Sequence, residues 1–158
     1  MKKIYFLFLF PILLLNCSSK YTTVPLNKID QERKAVAENF VKTFFDKCEN
    51  KDYSEFEGFN ISKKFQAKLV SDSIKKSCNY LQYKNGKIEF ENLVSVHSGT
   101  FPKDFLDIFN FKLKTEKSAA PVYLHLGMYR DQNYVEIPFY FSADENYFET
   151  IRKKYYKK

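Results

Sequence analysis

The sequence predicts an α+β domain in which N-terminal helices pack on one face of a four-stranded antiparallel sheet. Three observations carry this. Apolar residues recur every three or four positions from Ile29 to Leu81, the spacing switches to two after Gly86, and the later alternating runs are separated by short turn clusters. Helices followed by closely connected strands fold back as an antiparallel sheet with the helices gathered on one side.

Asn27 is placed to cap the first helix, with Asp30 in its first turn complementing the helix dipole. Ile29, Val36, Ala37, Phe40, Val41, Phe44, Phe45 and Cys48 then share one face of a helix ending near Asn50, while Glu32, Lys34, Glu38, Lys42 and Asp46 fall opposite. Asp52 followed by Glu55 has capping-box spacing, which predicts a single turn over Tyr53 to Glu57 before Gly58 stops it. Ser62 is a second cap. Phe65 and Leu69, then Ile74, Cys78 and Leu81, predict two short helices or one bent helix ended by Asn85 and Gly86.

Beyond Gly86, Ile88 and Phe90 followed by Leu93 to Val96 read as a first strand with an irregularity at Glu91 and Asn92. Ser98, Gly99, Phe101 and Pro102 make a turn. Phe105, Asp107, Phe109, Phe111 and Leu113 line one face of a second strand, and Val122, Leu124, Leu126 and Met128 one face of a third, with Tyr123, His125 and Tyr129 opposite. Asp131, Gln132 and Asn133 then turn the chain into Tyr134 to Phe141, where Pro138 requires an edge position or a bulge. The order of a long aromatic helix, the Asn50, Lys51, Asp52, Tyr53 junction, short helices, Asn85 and Gly86 before the sheet and a closing strand resembles small exported domains of the nuclear transport factor 2-like, or cystatin-like, fold. The resemblance covers about Ile29 to Ser142 and implies topology, with no catalytic residues attached.

The N-terminus carries an address. Lys2 and Lys3 precede an uncharged apolar run from Ile4 to Leu15, too short to span a bilayer, which needs about 20 apolar residues. The run closes on Leu14, Leu15, Asn16 and Cys17, which resembles the lipobox of bacterial lipoproteins. That resemblance implies cleavage before Cys17, acyl chains on its sulfur and stable attachment to a membrane, which one chain alone does not give. The expected parts are a signal peptide over 1–16, a lipid-attached tether over 17–27, the α+β domain over 28–142 and a basic helix or tail over 143–158. The expected place is the bacterial envelope, with the outer membrane as the attachment and the domain in the periplasm or on the cell surface.

Removing the signal leaves 142 residues, enough for one domain with one core, and 17 Phe with 12 Tyr and no Trp make that core aromatic. Of 26 basic residues two lie in the signal and five are Arg152, Lys153, Lys154, Lys157 and Lys158, so the intervening chain balances 19 bases against 19 acids. The tail, with Phe148, Ile151 and Tyr155 at helical spacing, therefore reads as a frayed, solvated end, with contact to an anionic membrane surface through these bases as the lesser alternative. The neutral body and the export signal argue against nucleic acid. Cys48 and Cys78 are either a disulfide, which export permits, or two buried thiols.

Chemistry-bearing motifs are sparse. No HExxH, CxxC or glycine-rich phosphate loop occurs, and neither His97 nor His125 has a partner at metal spacing, so no metal or cofactor is expected. His125 reads as a sheet-surface residue, with catalysis the lesser alternative. Asp107, set among Phe105, Phe109 and Phe111, is the nearest candidate for a base in a pocket-type lyase or isomerase of the resembling fold. The favoured expectation is instead a non-enzymatic lipoprotein whose aromatic-lined sheet binds a small apolar ligand or an envelope protein, with a structural accessory role as a third alternative. A pocket holding a buried acid, an exposed apolar patch and a filled core would discriminate among the three.

Overall fold

The structure is a computed structural model and describes residues 21–99, 106–130 and 133–155, apart from the side chains of residues 152 and 155. The signal segment, Cys17, the turn residues Phe101 and Pro102, Phe105 of the expected second strand, Asp131 with Gln132, and Lys157 with Lys158 lie outside the described residues. The elements in chain order are β1 (Tyr21–Val24), a 3-10 turn (Leu26–Lys28), α1 (Gln31–Asn50), α2 (Lys63–Gln66), α3 (Ser71–Asn85), β2 (Ile88–Gly99), β3 (Leu106–Thr115), β4 (Ser118–Tyr129), β5 (Tyr134–Ser142) and α4 (Tyr147–Tyr155). The fold is α+β. Its antiparallel sheet has five strands in the order β1-β2-β3-β4-β5, not the expected four. The additional strand comes from the stretch that composition assigns to the tether: Tyr21 to Val24 pair with Gly99 to Val96 along the outer edge of β2. Four largely exposed residues carry no burial pattern for periodicity to register, and only the backbone pairing defines them.

Asp30, not Asn27, caps α1. Its side chain accepts a hydrogen bond from the Arg33 amide at 3.0 Å, while Asn27 sits in the preceding 3-10 turn and Ile29 between them enters the core. No helical turn forms over Tyr53 to Glu57. The Asp52 carboxylate is already committed, accepting from the Ser54 amide at 2.9 Å and from Lys47 Nζ at 2.8 Å, so it closes a two-residue turn in place of a capping box. Ser62 does cap α2, accepting from the Phe65 amide at 3.0 Å. Gly86 ends α3 at φ 68°, where a Cβ would also stand 2.5 Å from Glu116 Oε2.

The helices cover one face of the sheet. Ala37, Phe40 and Val41 of α1, Phe65 of α2, and Ile74 and Cys78 of α3 meet Leu93 and Val96, Phe109 and Phe111, Leu124 and Leu126, and Val135 in one cluster. Register explains why these residues coincide: Phe109 lies between Val96 and Leu126, and Phe111 between Leu93 and Leu124. Bulges in β2 between Phe90 and Asn92, and between Leu93 and Ser95, keep its apolar residues facing the helices despite their uneven spacing. Cys48 of α1 and Cys78 of α3 are joined by a disulfide, with their Cα atoms 5.2 Å apart. Among the described residues no helix is long and apolar enough to cross a membrane.

The sheet's other face is also covered. After Asn146, whose side chain accepts from the Phe148 amide at 2.9 Å, α4 folds back beneath the sheet. Tyr147 packs against His125 and Tyr140, and Phe148 against His97 and the ring of Tyr21. The C-terminal helix and the N-terminal edge strand thus meet on this second layer.

Candidate functional site

One large concavity is built where the helices part from the sheet edge. In β5 the pairing with β4 runs from Phe139 opposite Leu126 to Glu136 opposite Gly127, so Ile137 and Pro138 bulge out of register. Gly127 permits this crowding, since a Cβ there would stand 2.9 Å from Pro138 Cδ. Pro138 has no amide hydrogen to leave unpaired at an edge. Beyond the bulge, Phe139 packs 4.8 Å from Phe44 and 5.9 Å from Phe65, and Phe141 packs 6.3 Å from Phe45.

Phe44, Phe65, Phe139 and Phe141 line a cleft of about 680 Å³, within the range of about 300 to 1,000 Å³ usual for small-molecule sites. Leu69, Ile74, Ser77, Tyr80, Leu81 and Lys84 line it from the helical side, Pro121 and Val122 from β4, and Lys68 also belongs to the lining. Tyr80 is 59% exposed, and Lys84 Nζ lies 5.9 Å from its ring.

Asp107 is not among the residues lining this cleft. It is buried at the far end of β3, where Oδ2 accepts from Arg33 Nη2 at 3.0 Å and Oδ1 accepts from Arg130 Nη2 at 3.0 Å and from the Ser98 hydroxyl at 2.5 Å. Arg33 also donates to the carbonyl oxygen of Tyr129 at 2.9 Å, so the cluster fastens the start of α1 to the end of the β4–β5 hairpin. Burial lowers the Arg33 pKa, and the charge of Asp107 opposes that shift. A carboxylate with both oxygens so engaged is an ion-pair partner and has no acceptor position to offer a substrate proton.

His125 is fully buried, which corrects the expectation of a sheet-surface residue. The polar residues alternating with the core set face α4 and build a chain across four strands. Asn110 Nδ2 donates to Ser95 Oγ at 3.0 Å and lies 2.7 Å from His97 Nδ1, which turns its Oδ1 toward His125 Nδ1, also at 2.7 Å. The neutral His125 ring therefore carries its proton on Nδ1 and accepts at Nε2, which is 2.7 Å from Ser142 Oγ. The Ser142 hydroxyl has a second acceptor, the Asp144 carbonyl at 2.6 Å, and serves one of them at a time. Burial pushes His125 down to about 4, reinforced by His97 and opposed by Asp144, and burial also lowers His97. This network lies under α4, away from open solvent.

Of the tail cations, Lys153 and Lys154 are exposed, and Lys153 Nζ is paired with Asp144 at 2.6 Å. The Arg152 side chain, Lys157 and Lys158 lie outside the described residues. Among the described residues no group of three or more His, Cys, Asp and Glu side chains is placed to hold a metal ion.

The cleft lysines leave no mark on the charge balance of the whole body, which is neutral. Between Lys63 and Lys87 the chain carries seven lysines and a single acid, Asp72, an excess visible only in a local window. Compared with known proteins, the chain matches no protein family, no curated protein and no solved structure.

Proposed function

We propose that this chain is a lipid-anchored lipoprotein of the bacterial envelope whose α+β domain, of nuclear transport factor 2-like or cystatin-like topology, holds a small apolar ligand without chemical turnover. The observation that carries the binding role is the phenylalanine-lined cleft between α3 and β5. A cleft of this volume lined by apolar side chains with a few polar groups at its mouth is the ordinary form of a small-molecule site. The lyase or isomerase alternative needs a free acid in the pocket, and Asp107 is both outside it and held by two arginines. The Cys48–Cys78 disulfide agrees with an exported domain, because such bonds persist in oxidising compartments. The anchor rests on Cys17 and the apolar run before it.

Two measurements test the two halves. Metabolic labelling with a fatty acid should mark the protein and be lost on Cys17→Ser; label retained by the variant would overturn the anchor. The neutral fluorescent probe N-phenylnaphthylamine should brighten on adding the full chain and stay dark with Ser77→Trp, which places an indole at an exposed position on the cleft wall. Equal brightening by both proteins would remove the cleft as the binding site.

A further inference from the structure

We propose that the ligand is an anionic amphiphile, with one alkyl chain against the phenylalanine rings and its carboxylate or phosphate held between Lys68 and Lys84. This inference rests on the cleft being a ligand site and adds the ligand's charge. Among the described residues lining the cleft there are two lysines and no Asp or Glu. Elsewhere on α2 and α3, Lys63, Lys64, Lys75 and Lys76 are also exposed. Among the described residues the seven lysines from Lys63 to Lys87 make one ion pair, Lys87 with Glu89 at 3.6 Å. Clefts lined by one sign of charge concentrate ligands of the opposite sign and repel those of the same sign.

The cleft combines apolar rings with cationic groups, a pairing that suits an amphiphile better than a plain hydrocarbon or a soluble anion. Phe44, Phe65, Phe139 and Phe141 supply apolar rings, while Lys68, Lys84 and the Ser77 hydroxyl supply hydrogen-bond donors. Lys84 stands over the Tyr80 ring, so its ammonium is held near the wall by the ring face. Carboxylate and phosphate share the chemistry these donors recognise.

Titration calorimetry of the full chain with decanoate, decyl phosphate, decanol and decylammonium tests this. Decanoate and decyl phosphate should bind at least about tenfold more tightly than decanol, a difference of about 1.4 kcal/mol, and decylammonium most weakly. In the Lys68→Gln/Lys84→Gln variant decanoate and decanol should come within about twofold of each other, and in Ser77→Trp all four should lose binding. Equal affinity for decanoate and decanol in the parent protein overturns the charge assignment and leaves the apolar cleft standing. Binding by none of the four removes the cleft reading as well. A decanoate preference that survives the double lysine substitution, or binding to vesicles of anionic phospholipid that survives Ser77→Trp, places the anion contact on another surface and overturns the proposal.

Discussion

Acidification should unfold this domain through His125, and the size of the effect follows from its surroundings. In the folded chain the ring titrates at about 4, against an ordinary histidine value of 6.5. Between these values the unfolded chain binds the proton and the folded chain does not, so stability falls as pH falls. The contribution is complete above pH 6.5 and lost progressively toward pH 4, amounting to about 3 kcal/mol over the whole interval. Of this, about 2 to 2.5 kcal/mol should disappear between about pH 7 and about pH 4.5. Protonation also forces Nε2 to become a donor to Ser142, which commits the Ser142 hydroxyl to the Asp144 carbonyl. Urea unfolding at the two pH values, run on the parent and on His125→Gln, isolates this contribution, because His97 remains in both proteins. The variant should show a pH dependence flatter by about 2 kcal/mol. Identical dependences, or a His125 ring resonance titrating at the ordinary histidine value, would refute the burial argument.

Two further substitutions separate structural roles from binding. Replacing both Cys48 and Cys78 by alanine releases a crosslink between residues 30 apart and should cost about 3 to 4 kcal/mol by loop entropy, read as a lower urea midpoint; an unchanged midpoint would show that the bridge constrains nothing. Asp107→Asn leaves Arg33 buried without its counter-charge and should cost about 3 kcal/mol in stability, while decanoate affinity stays within about twofold of the parent; affinity lost in step with stability would tie Asp107 to the site.

Period and punctuation made most of the fold legible. The helical spacing of Phe40, Phe44 and Cys48, the stop at Gly86 and the alternation of Leu124, Leu126 and Met128 all report burial on one face, which is what periodicity measures. Pro138 likewise announced the bulge of β5, because a proline cannot serve a central ladder. What stayed hidden depends on a second burial layer. Asn110 and His125 alternate with apolar neighbours as solvent-facing residues do, and only the return of Tyr147 and Phe148 under the sheet turns them into a buried chain. Tyr21–Val24 escaped because an edge strand is defined by backbone pairing, which leaves little trace in side-chain pattern. The site was half legible: the aromatic lining follows from composition, whereas Lys68 and Lys84 come to line one cleft only through the fold.

The edge strand at Tyr21 sets the length of the leash. From Cys17 to Tyr21 there are only four peptide units, which span at most about 14 Å when fully extended. On the proposed anchor the domain therefore rides close against the bilayer and cannot reach partners by swinging on a long arm. Its point of attachment is the β1 edge, whereas the cleft opens at β5, four strand spacings and about 19 Å across the sheet. On the proposed anchor, the cleft would lie at the opposite margin of the sheet from the acyl chains. On that anchor, the short leash and the width of the sheet together limit how near the cleft can come to the attachment point.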